Sequence, residues 1–513
     1  MVKLFINDCP VEVKPESTIL EAAKKAGIDI PHLCYHPAFP PEGSCRMCLV
    51  EIEGAPKLEL ACSTPVRDGM KVHTQTSEVC EARRGVLEFL LAEHPPDCPV
   101  CDQAGECKLQ DYYEQYGLFD SRFSEEKIKK DKRVRLGKNL LLDRERCVLC
   151  TRCVRFLKNV TGGEKLGVFQ RGLKAEISLF PGESVNGNYS GNLAEICPVG
   201  AITDLDFRFQ SRTWFLESKP SLCPLCSRGC NITIDFHPGL SRFNIPKRVY
   251  RIRSRENPEV NGHWICDKGR YGYAYIDRER MKTVMSDGRA ADASTALSRL
   301  TGTIKRLVHK NKTKRICVLL NSYLSNEEFY LIHRIFKKEL GVENIRLIDL
   351  PDEQSDELLL TAERTPNRRG SREIGFENRA HDDISWNDIE LLVVFESPFP
   401  VAQLEHILNG IPETVGSRVL LTPRETQIKE KMQLVLPTAV IAEKMGSLTN
   451  HEGRTQTFLP VLDPPGDALP EWQWLKFLGK ELGADFSFYT KILSPRDIFT
   501  AMTKEISFFQ DQK

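Results

Sequence analysis

The 513-residue sequence has no net charge, because 71 Lys and Arg residues balance 71 Asp and Glu residues. This balance removes any global electrostatic case for binding nucleic acid or an anionic membrane surface. No apolar run approaches the ~20 residues of a membrane-spanning helix, and residues 1–8 lack the apolar core of a signal peptide. The sequence also lacks a Walker A loop, a GxGxxG motif and a nucleophile elbow. We therefore expect a soluble, cytosolic or peripheral protein without a catalytic substrate site of its own.

Cysteine, in contrast, is abundant: the chain has 18 cysteines, and 17 of them precede residue 267. In a long chain without a secretory signal, metal ligation or redox chemistry is favoured over a disulfide scaffold. Hydrophobic residues make up 41% of the chain, which is enough for globular cores. At roughly one domain per ~150 residues, the length predicts three or four domains.

The first cysteine group has the spacing C-x10-C-x2-C-x13-C and consists of Cys34, Cys45, Cys48 and Cys62. Three ligands on one loop and a fourth after the next strand are typical of a [2Fe–2S] ferredoxin, although the plant-type motif has a first gap of four residues. A predicted hairpin (residues 2–13) and a predicted helix (residues 18–26, capped by Ser17) precede the loop in the order of a β-grasp ferredoxin. This order favours [2Fe–2S] over the alternative, a four-thiolate zinc site.

The second group combines a histidine with three cysteines, namely His94, Cys98, Cys101 and Cys107. Three closely spaced thiolates can hold three irons of a [4Fe–4S] cubane, and an imidazole can hold the fourth. Cys80 is the alternative fourth ligand, and the spacing favours His94.

The third group is a C-x2-C-x2-C run followed by a remote Cys-Pro, and it consists of Cys147, Cys150, Cys153 and Cys197. The run can wrap one [4Fe–4S] cubane while the remote cysteine supplies the fourth thiolate. In the bacterial ferredoxin motif the Cys-Pro follows after three residues, so here the last ligand must return through folding. A zinc ribbon would instead have two paired C-x2-C arms.

The fourth group consists of Cys223, Cys226, Cys230 and Cys266. Zinc is a stronger competitor here, because a C-x2-C pair with distant cysteines is a common zinc arrangement. The three-residue second gap and the Asp-Lys-Gly after the last cysteine favour a third [4Fe–4S] cluster. Cys9, Cys80 and Cys317 remain outside the groups, and Cys317, within an apolar run, is predicted to be a buried core thiol.

Three segments outside the cysteine groups have a distinct local pattern. Residues 81–93 are predicted to form a helix with Val86, Phe89 and Leu90, and also Leu91, towards the core. The charged segment 121–135 is predicted to be exposed, and the polar segment 351–388 is predicted to be a long loop. After about residue 290, helical stretches alternate with buried-strand patterns, which indicates a parallel, doubly wound α/β domain.

These motifs together resemble the large iron–sulfur subunit family of NADH-quinone oxidoreductase (respiratory complex I), most specifically over residues 1–278. The sequence Glu-Ile-Cys-Pro-Val-Gly-Ala around Cys197 carries part of the resemblance. The fourth group and residues 257–269 resemble the iron–sulfur module of molybdopterin oxidoreductases, and residues 436–439 and 443–456 resemble the α/β domains of that superfamily.

The resemblance implies an α+β and α/β multidomain fold in five parts. We expect a β-grasp [2Fe–2S] ferredoxin-like domain (1–80), a His/Cys3 [4Fe–4S] segment (81–120), a ferredoxin-like [4Fe–4S] domain (121–215), a molybdopterin-oxidoreductase-type [4Fe–4S] domain (216–278), and a molybdopterin-oxidoreductase-like α/β domain without pterin (279–513).

The resemblance further implies an electron-relay subunit of a translocating NADH dehydrogenase. Electrons would pass from the NADH/FMN module through one [2Fe–2S] and several [4Fe–4S] clusters toward quinone, coupled to ion translocation by the whole complex. The implied partners are a flavin-containing NADH-oxidising subunit and quinone-side iron–sulfur subunits. The implied location is the cytoplasmic face of the inner membrane, as a peripheral subunit without a transmembrane segment. The fourth cluster would lie off the main path.

Three other functions stay open on the sequence. The chain could serve as an electron-transfer subunit of a soluble NAD-linked hydrogenase, which would share only the first three groups. It could belong to a formate dehydrogenase with an active molybdopterin site, which would need a metal-ligating side chain and a larger C-terminal fold. A zinc-stapled scaffold without redox chemistry is the third alternative.

Overall fold

The computed structural model describes residues 1–117, 120–239, 247–377, 384–483 and 486–512. The chain divides into two compact units, Met1–Leu216 and Glu217–Lys513. Within the described residues, no helix is both long enough and apolar enough to cross a membrane.

The first unit begins with a five-stranded sheet in the order β2-β1-β5-β3-β4. Its strands are β1 (Val2–Ile6), β2 (Cys9–Val13), β3 (Leu49–Ile52), β4 (Glu59–Leu60) and β5 (Lys71–His73), and helix α1 is Ile19–Lys25. β1 and β5 run parallel, whereas β1 and β2 form the predicted antiparallel hairpin. One face of this sheet packs on α1 in a single apolar core that also includes Cys48 and Cys62.

Helix α1 begins one residue later than predicted. Its cap is Thr18, whose hydroxyl accepts from the N–H of Glu21 (3.3 Å) while the Glu21 carboxylate accepts from the N–H of Thr18 (2.8 Å). Ser17, the predicted cap, instead donates its N–H to the Lys14 carbonyl in the preceding turn. The reciprocal capping box explains the choice, because it satisfies two N–H groups at once.

Further helices and two small sheets complete the first unit. The elements are α2 (Ser77–Glu93), α3 (Lys108–Tyr116), β6 (Val134–Arg135), β7 (Leu140–Leu142), α4 (Arg152–Asn159), β8 (Leu166–Phe169), β9 (Glu176–Leu179), α5 (Asn192–Ile196) and β10 (Ile202–Asp204). The sheets have the orders β10-β7-β6 and β8-β9. Segment 121–135 is exposed or half-buried, as predicted.

The buried face of α2 differs from the prediction. Leu87 is buried, whereas Phe89 is 84% exposed and Val86 is only half-buried. The centre of the buried face is Arg83, which donates to the hydroxyl of Tyr116 on α3 (3.0 Å) and to a main-chain carbonyl on β3 (2.9 Å). An apolar pattern could not identify this face, because its central residue is a hydrogen-bonded arginine.

The second unit begins with an antiparallel three-stranded sheet, β11 (Glu217–Leu222), β12 (Asn231–Phe236) and β13 (Val249–Ser254), followed by the short helix α6 (Asp267–Tyr271). The hairpin between β11 and β12 pairs Leu222 with Asn231. Its loop therefore begins and ends with the predicted ligands Cys223 and Cys230.

A seven-stranded sheet forms the core of the remainder, in the order β15-β14-β20-β19-β18-β16-β17. Its elements are β14 (Met285–Ser286), β15 (Arg289–Ala290), α7 (Ala293–His309), β16 (Ile316–Leu320), α8 (Asn326–Ile332), β17 (Asn344–Leu347), α9 (Arg368–Ile374), β18 (Leu391–Phe395), α10 (Ala402–Asn409), β19 (Ser417–Thr422), β20 (Leu434–Pro437), β21 (Gly446–Thr449), β22 (Thr455–Phe458), α11 (Glu471–Leu482), α12 (Phe486–Lys491) and α13 (Pro495–Glu505).

The five strands β16 to β20 are parallel, and alternate residues of β16 enter two separate apolar cores. Val318 faces one core and Cys317 the other, so helices cover both faces of the sheet. The predicted doubly wound α/β fold is confirmed, as is the buried position of Cys317.

One prediction within this unit is wrong in part. Segment 351–388 contains helix α9 and a short 3-10 turn (Trp386–Asp388), so it is not simply a loop; residues 378–383 lie outside the described residues. Helix α8 continues directly into a π-helix (His333–Glu339).

Candidate metal centres

The first cysteine group lies where the loop after α1 meets the sheet, and its four sulfurs form two pairs. Cys34 is hydrogen-bonded to Cys45, and Cys48 to Cys62, while Coulombic coupling links the two pairs. Within each pair, the hydrogen bond lowers the pKa of one thiol, to about 5 for Cys34, and raises the pKa of its partner. This two-plus-two arrangement suits a cluster of two irons, each of which takes two protein ligands.

The second group follows helix α2. Cys98 begins a 3-10 turn (Cys98–Val100), and Cys107 precedes the first turn of α3. Asp97 accepts from the Arg146 guanidinium (3.1 and 2.5 Å). Both charges of this ion pair act on His94 and on Cys101, so the pair lies near each of them.

His94 lies at the C-terminal end of α2, and its Nδ1 is buried without a hydrogen-bond partner among the described residues. Burial lowers the pKa of His94 to about 4, so the ring is neutral and one nitrogen carries a free lone pair. A buried unpaired imidazole nitrogen is costly in a protein and suits a metal ligand.

Cys80, the alternative ligand, is in the first turn of α2 and contacts the side chain of Gln75 (3.7 Å). It therefore lies at the opposite end of the helix from His94, about 20 Å along the axis at 1.5 Å per residue.

The third group lines a single cavity. Its four cysteines line the cavity together with residues that include Leu142 of β7, Ile177 of β9 and Ile202 of β10. Leu149 and Thr151, between the clustered cysteines, have left-handed φ angles of 51° and 56°. Such conformations are unusual for residues with a Cβ. They turn the chain sharply enough for all three sulfurs of the run to face the cavity.

The second and third groups adjoin each other through the loop that follows Cys197. The Cys107 thiol donates to the Pro198 carbonyl (3.9 Å), and Cys107 and Cys197 are coupled electrostatically. A Cβ added to Gly200 would lie 2.3 Å from the sulfur of Cys101. Only glycine allows this approach. The Cys-Pro-Val-Gly sequence therefore supplies Cys197 to the third group and also contacts the second.

The fourth group lies in the second unit, between the β11–β12 loop and α6. The four thiols are mutually coupled, and Cys266 caps α6 by accepting from the Gly269 N–H (3.3 Å). A Cβ added to Gly269 would lie 3.1 Å from the sulfur of Cys223, so this glycine also permits a close sulfur approach.

Main-chain N–H groups point at sulfurs in all four groups. The sulfurs that accept from the N–H two residues further along the chain are those of Cys45, Cys101, Cys107, Cys147, Cys150, Cys197, Cys223 and Cys266. Such donors favour the thiolate over the thiol, and they also influence the potential of an iron–sulfur cluster. The donor set therefore fits iron–sulfur ligation.

Burial works against these hydrogen bonds. It raises the pKa of Cys107 and Cys150 to about 11 and that of Cys147 to about 12. In the fourth group it raises the pKa of Cys223 and Cys230 well above the ordinary thiol value. Metal binding must displace these protons, and the iron charge then offsets the cost of burying thiolates. Within the described residues, no three His, Cys, Asp or Glu side chains converge tightly enough to hold a single ion.

Sequence reasoning missed several residues that support the sites. Arg146, Arg152 and Arg155 are buried beside the cysteine groups, and Gly200 closely approaches the sulfur of Cys101, a predicted ligand. The signal that could have found them was an arginine directly flanking a cysteine in a buried run, as at Arg152 and Cys153.

Five family models match successive parts of the chain. They are a 2Fe-2S iron-sulfur cluster binding domain (residues 1–77), an NADH-ubiquinone oxidoreductase-G iron-sulfur binding region (83–122), the ferredoxin-like domain of NADH-quinone oxidoreductase subunit 3 (137–203), a molybdopterin oxidoreductase Fe4S4 domain (216–278) and molybdopterin oxidoreductase (425–481). The chain thus contains 2Fe-2S and 4Fe-4S binding domains.

Curated relatives include a subunit of NADH-quinone oxidoreductase from Rickettsia felis, 38% identical over 67% of this chain and 50% of the relative. Subunit 3 of the Thermus thermophilus enzyme is 40% identical over 57% of this chain and 41% of the relative. The 75 kDa subunit of NADH-ubiquinone oxidoreductase from Reclinomonas americana is 38% identical over 70% and 52%.

The chain spans about half the length of the curated relatives it matches. Among solved structures, a chain of an NAD+-reducing [NiFe]-hydrogenase in its H2-reduced state is 31% identical over 41% of this chain and 91% of its own length. Its TM-score is 0.38, which is too low to support an argument about fold or function.

Proposed function

The chain resembles these NADH-quinone oxidoreductase subunits in its series of iron–sulfur domains, and we propose that it is an electron-relay subunit of such a complex. The observation that carries the proposal is the adjacency of the second and third cysteine groups, which share the loop after Cys197. Two redox centres so close to each other suit electron transfer, whereas structural zinc sites have no need of such proximity.

The proposed ligand sets follow the four groups. Cys34, Cys45, Cys48 and Cys62 hold a [2Fe–2S] cluster, which the two-plus-two pairing of sulfurs supports. His94, Cys98, Cys101 and Cys107 hold a [4Fe–4S] cluster, which the unpaired His94 Nδ1 supports. Cys147, Cys150, Cys153 and Cys197 hold a second, in the apolar cavity that they line. Cys223, Cys226, Cys230 and Cys266 hold a third.

The chain itself carries out no bond chemistry in this proposal. When bound, each cluster accepts and releases one electron. The protein holds the sulfurs in place, donates main-chain N–H groups to them and keeps the centres buried, and these are the features that set a cluster potential. The five domains keep the boundaries 1–80, 81–120, 121–215, 216–278 and 279–513.

We assign no catalytic residue and no pterin to the α/β domain. The carboxyl ends of its parallel strands face buried ion pairs: Lys444 Nζ contacts Glu328 (2.8 Å) and Glu471 (2.7 Å), and Glu396 pairs with Arg424. These charges satisfy one another at the edge where a ligand of a doubly wound domain usually binds. The fourth centre, in the same unit, lies off the main electron path.

The proposed partners are a flavin-containing NADH-oxidising subunit, which supplies electrons, and quinone-side iron–sulfur subunits, which accept them. The complex as a whole would reduce quinone and couple this reaction to ion translocation. The proposed location is the cytoplasmic face of the inner membrane, peripheral to the membrane subunits and without contact with nucleic acid.

An affinity purification tests this function. The tagged full chain is purified from gently solubilised membranes, and the associated proteins are identified by mass spectrometry. Recovery of a flavin NADH-oxidising subunit together with multi-span membrane subunits is expected. Recovery of only a soluble hydrogenase pair or a formate dehydrogenase set would contradict the proposal.

Metal analysis of the anaerobically purified chain tests the centres separately. We expect a brown protein with iron and acid-labile sulfide in all four groups. A colourless protein with stoichiometric zinc would instead identify a structural scaffold, and stoichiometric molybdenum would identify an active molybdopterin enzyme.

A further inference from the structure

Helix α4 carries a buried arginine that joins the first and third cysteine groups. Arg152 donates through one terminal nitrogen to the Ile196 carbonyl (3.1 Å) and through the other to the Tyr35 carbonyl (2.5 Å). Ile196 directly precedes the ligand Cys197, and Tyr35 directly follows the ligand Cys34. One guanidinium therefore bridges the main chains of two ligand loops. Of its two partners, Tyr35 is the more distant in the sequence, 117 residues away.

Arg155, one turn further along α4, reinforces the same junction. It donates to the carbonyls of Cys34 and of Cys150 (3.2 Å), which are ligands from different groups, and to the Pro40 carbonyl (3.0 Å). Its own charge is partly balanced by the Glu42 carboxylate at 4.0 Å. The two arginines thus fix the loop of the first group against the run of the third.

The charge of Arg152 faces thiols of both groups. The guanidinium of Arg152 interacts with the thiols of both groups, namely Cys150, Cys197, Cys34 and Cys45. Arg152 is only 7% exposed, so its field is weakly screened by water. An arginine keeps its charge under these conditions because its ordinary pKa is so high.

We propose that Arg152 is a positioning residue shared by the first and third centres, which holds their ligand loops together and raises the reduction potentials of both. This inference rests on the proposed function. Reduction adds one negative charge to a cluster, so a buried cation beside it stabilises the reduced form. Because the same cation acts on both sets of ligands, its removal must shift both potentials in the same direction.

The test uses the full chain purified with its clusters, in parent form and as Arg152→Gln, Arg152→Lys and Lys158→Gln. Lys158 is the matched control, because it lies on the same helix but is exposed and pairs with Glu164 (3.1 Å). The midpoint potentials of the first and third centres are measured by electron paramagnetic resonance during redox titration, and iron content is measured for each variant.

Arg152→Gln should disfavour reduction of both centres by about tenfold, which is about 59 mV for one electron. Arg152→Lys keeps the charge but has one terminal nitrogen and cannot bridge both carbonyls, so it should have potentials close to the parent and a lower free energy of urea unfolding. Lys158→Gln should match the parent in both. A shift in only one centre, no shift in Arg152→Gln with full iron, or an equal shift in Lys158→Gln would overturn the proposal.

If Arg152→Gln fails to retain iron, Arg152→Lys decides the question. Full iron and parent potentials in the lysine variant would support a shared role of the charge, whereas a fall in either potential would overturn it. The same experiment distinguishes failure of this inference from failure of the proposed function. A parent chain without cluster signals contradicts the function. Parent cluster signals whose potentials do not change on substitution of Arg152 contradict only this inference.

Discussion

Substitution of Gly200 by alanine tests whether the second group shares the loop after Cys197. The added Cβ would lie 2.3 Å from the Cys101 sulfur, whereas ordinary van der Waals contact begins at 3.4 Å. One of the two atoms must therefore move by about 1.1 Å, and metal–ligand distances tolerate only about 0.2 Å. If Cys101 is an iron ligand as proposed, its sulfur cannot keep that bond and also avoid the methyl group.

Two effects follow, and both can be measured. The second centre should be lost from Gly200→Ala. The iron content should then fall by about four irons per chain, which is the iron of one [4Fe–4S] cluster. Overpacking should also lower the free energy of unfolding by about 1–3 kcal/mol. Three measurements, all under anaerobic conditions, give the readouts: iron analysis, the electron paramagnetic resonance spectrum of the reduced protein, and urea unfolding.

Gly187→Ala is the control, because nothing lies within 4 Å of a Cβ at that position. We expect it to retain all iron and to change the free energy of unfolding by less than about 0.5 kcal/mol. If Gly200→Ala also keeps its full iron content, the spectrum of the second centre and its stability, then the close approach of Cys101 to this loop is wrong.

Three further predictions concern ligand identity, helix packing and pH. His94→Cys should retain a cluster at a lower potential, because a thiolate replaces a neutral imidazole, and an unchanged redox titration would exclude His94 as a ligand. Leu87→Ala should lower the free energy of unfolding in urea by about 2–5 kcal/mol, whereas Phe89→Ser should change this free energy by less than about 0.5 kcal/mol. Equal losses in the two variants would instead support the buried face predicted from the sequence. Burial raises the pKa of Glu327 from 4.5 to about 7. Its stabilising contribution is therefore complete below about pH 4.5 and is lost, by about 3 kcal/mol in total, as the pH rises to about 7. Glu327→Gln should flatten this part of the pH profile, and an unchanged slope would contradict the assignment.

The parts of the fold that follow from period and spacing could be predicted. The buried runs of β16, β18 and β19 are continuous apolar segments between helical patterns, so the parallel sheet follows from local sequence. The short gaps within each cysteine run likewise indicate which residues share a loop. The ligand sets stay predictions until metal content and spectra are measured.

The parts that depend on contacts across long sequence separations could not be predicted. The buried face of α2 is centred on Arg83, and its partner Tyr116 is 33 residues away. Arg152 similarly has the charge typical of a surface residue, and its partners Tyr35 and Ile196 come close to it only in the folded chain. Even the start of α1 depended on a choice between Ser17 and Thr18, which reciprocal hydrogen bonding with Glu21 decides.

The loop after Cys197 also has a consequence for how the centres are built. Cys197 reaches the run at residues 147–153 only after the intervening segment, with β8, β9 and α5, has folded back. The same event delivers Gly200 to Cys101 and the Pro198 carbonyl to Cys107. If the two groups hold [4Fe–4S] clusters as proposed, the chain must therefore be nearly folded through residue 204 before either cluster can be enclosed. Under the proposed ligand sets, maturation of the second and third centres would then be a single late event, which would keep partly assembled clusters out of an unfinished chain.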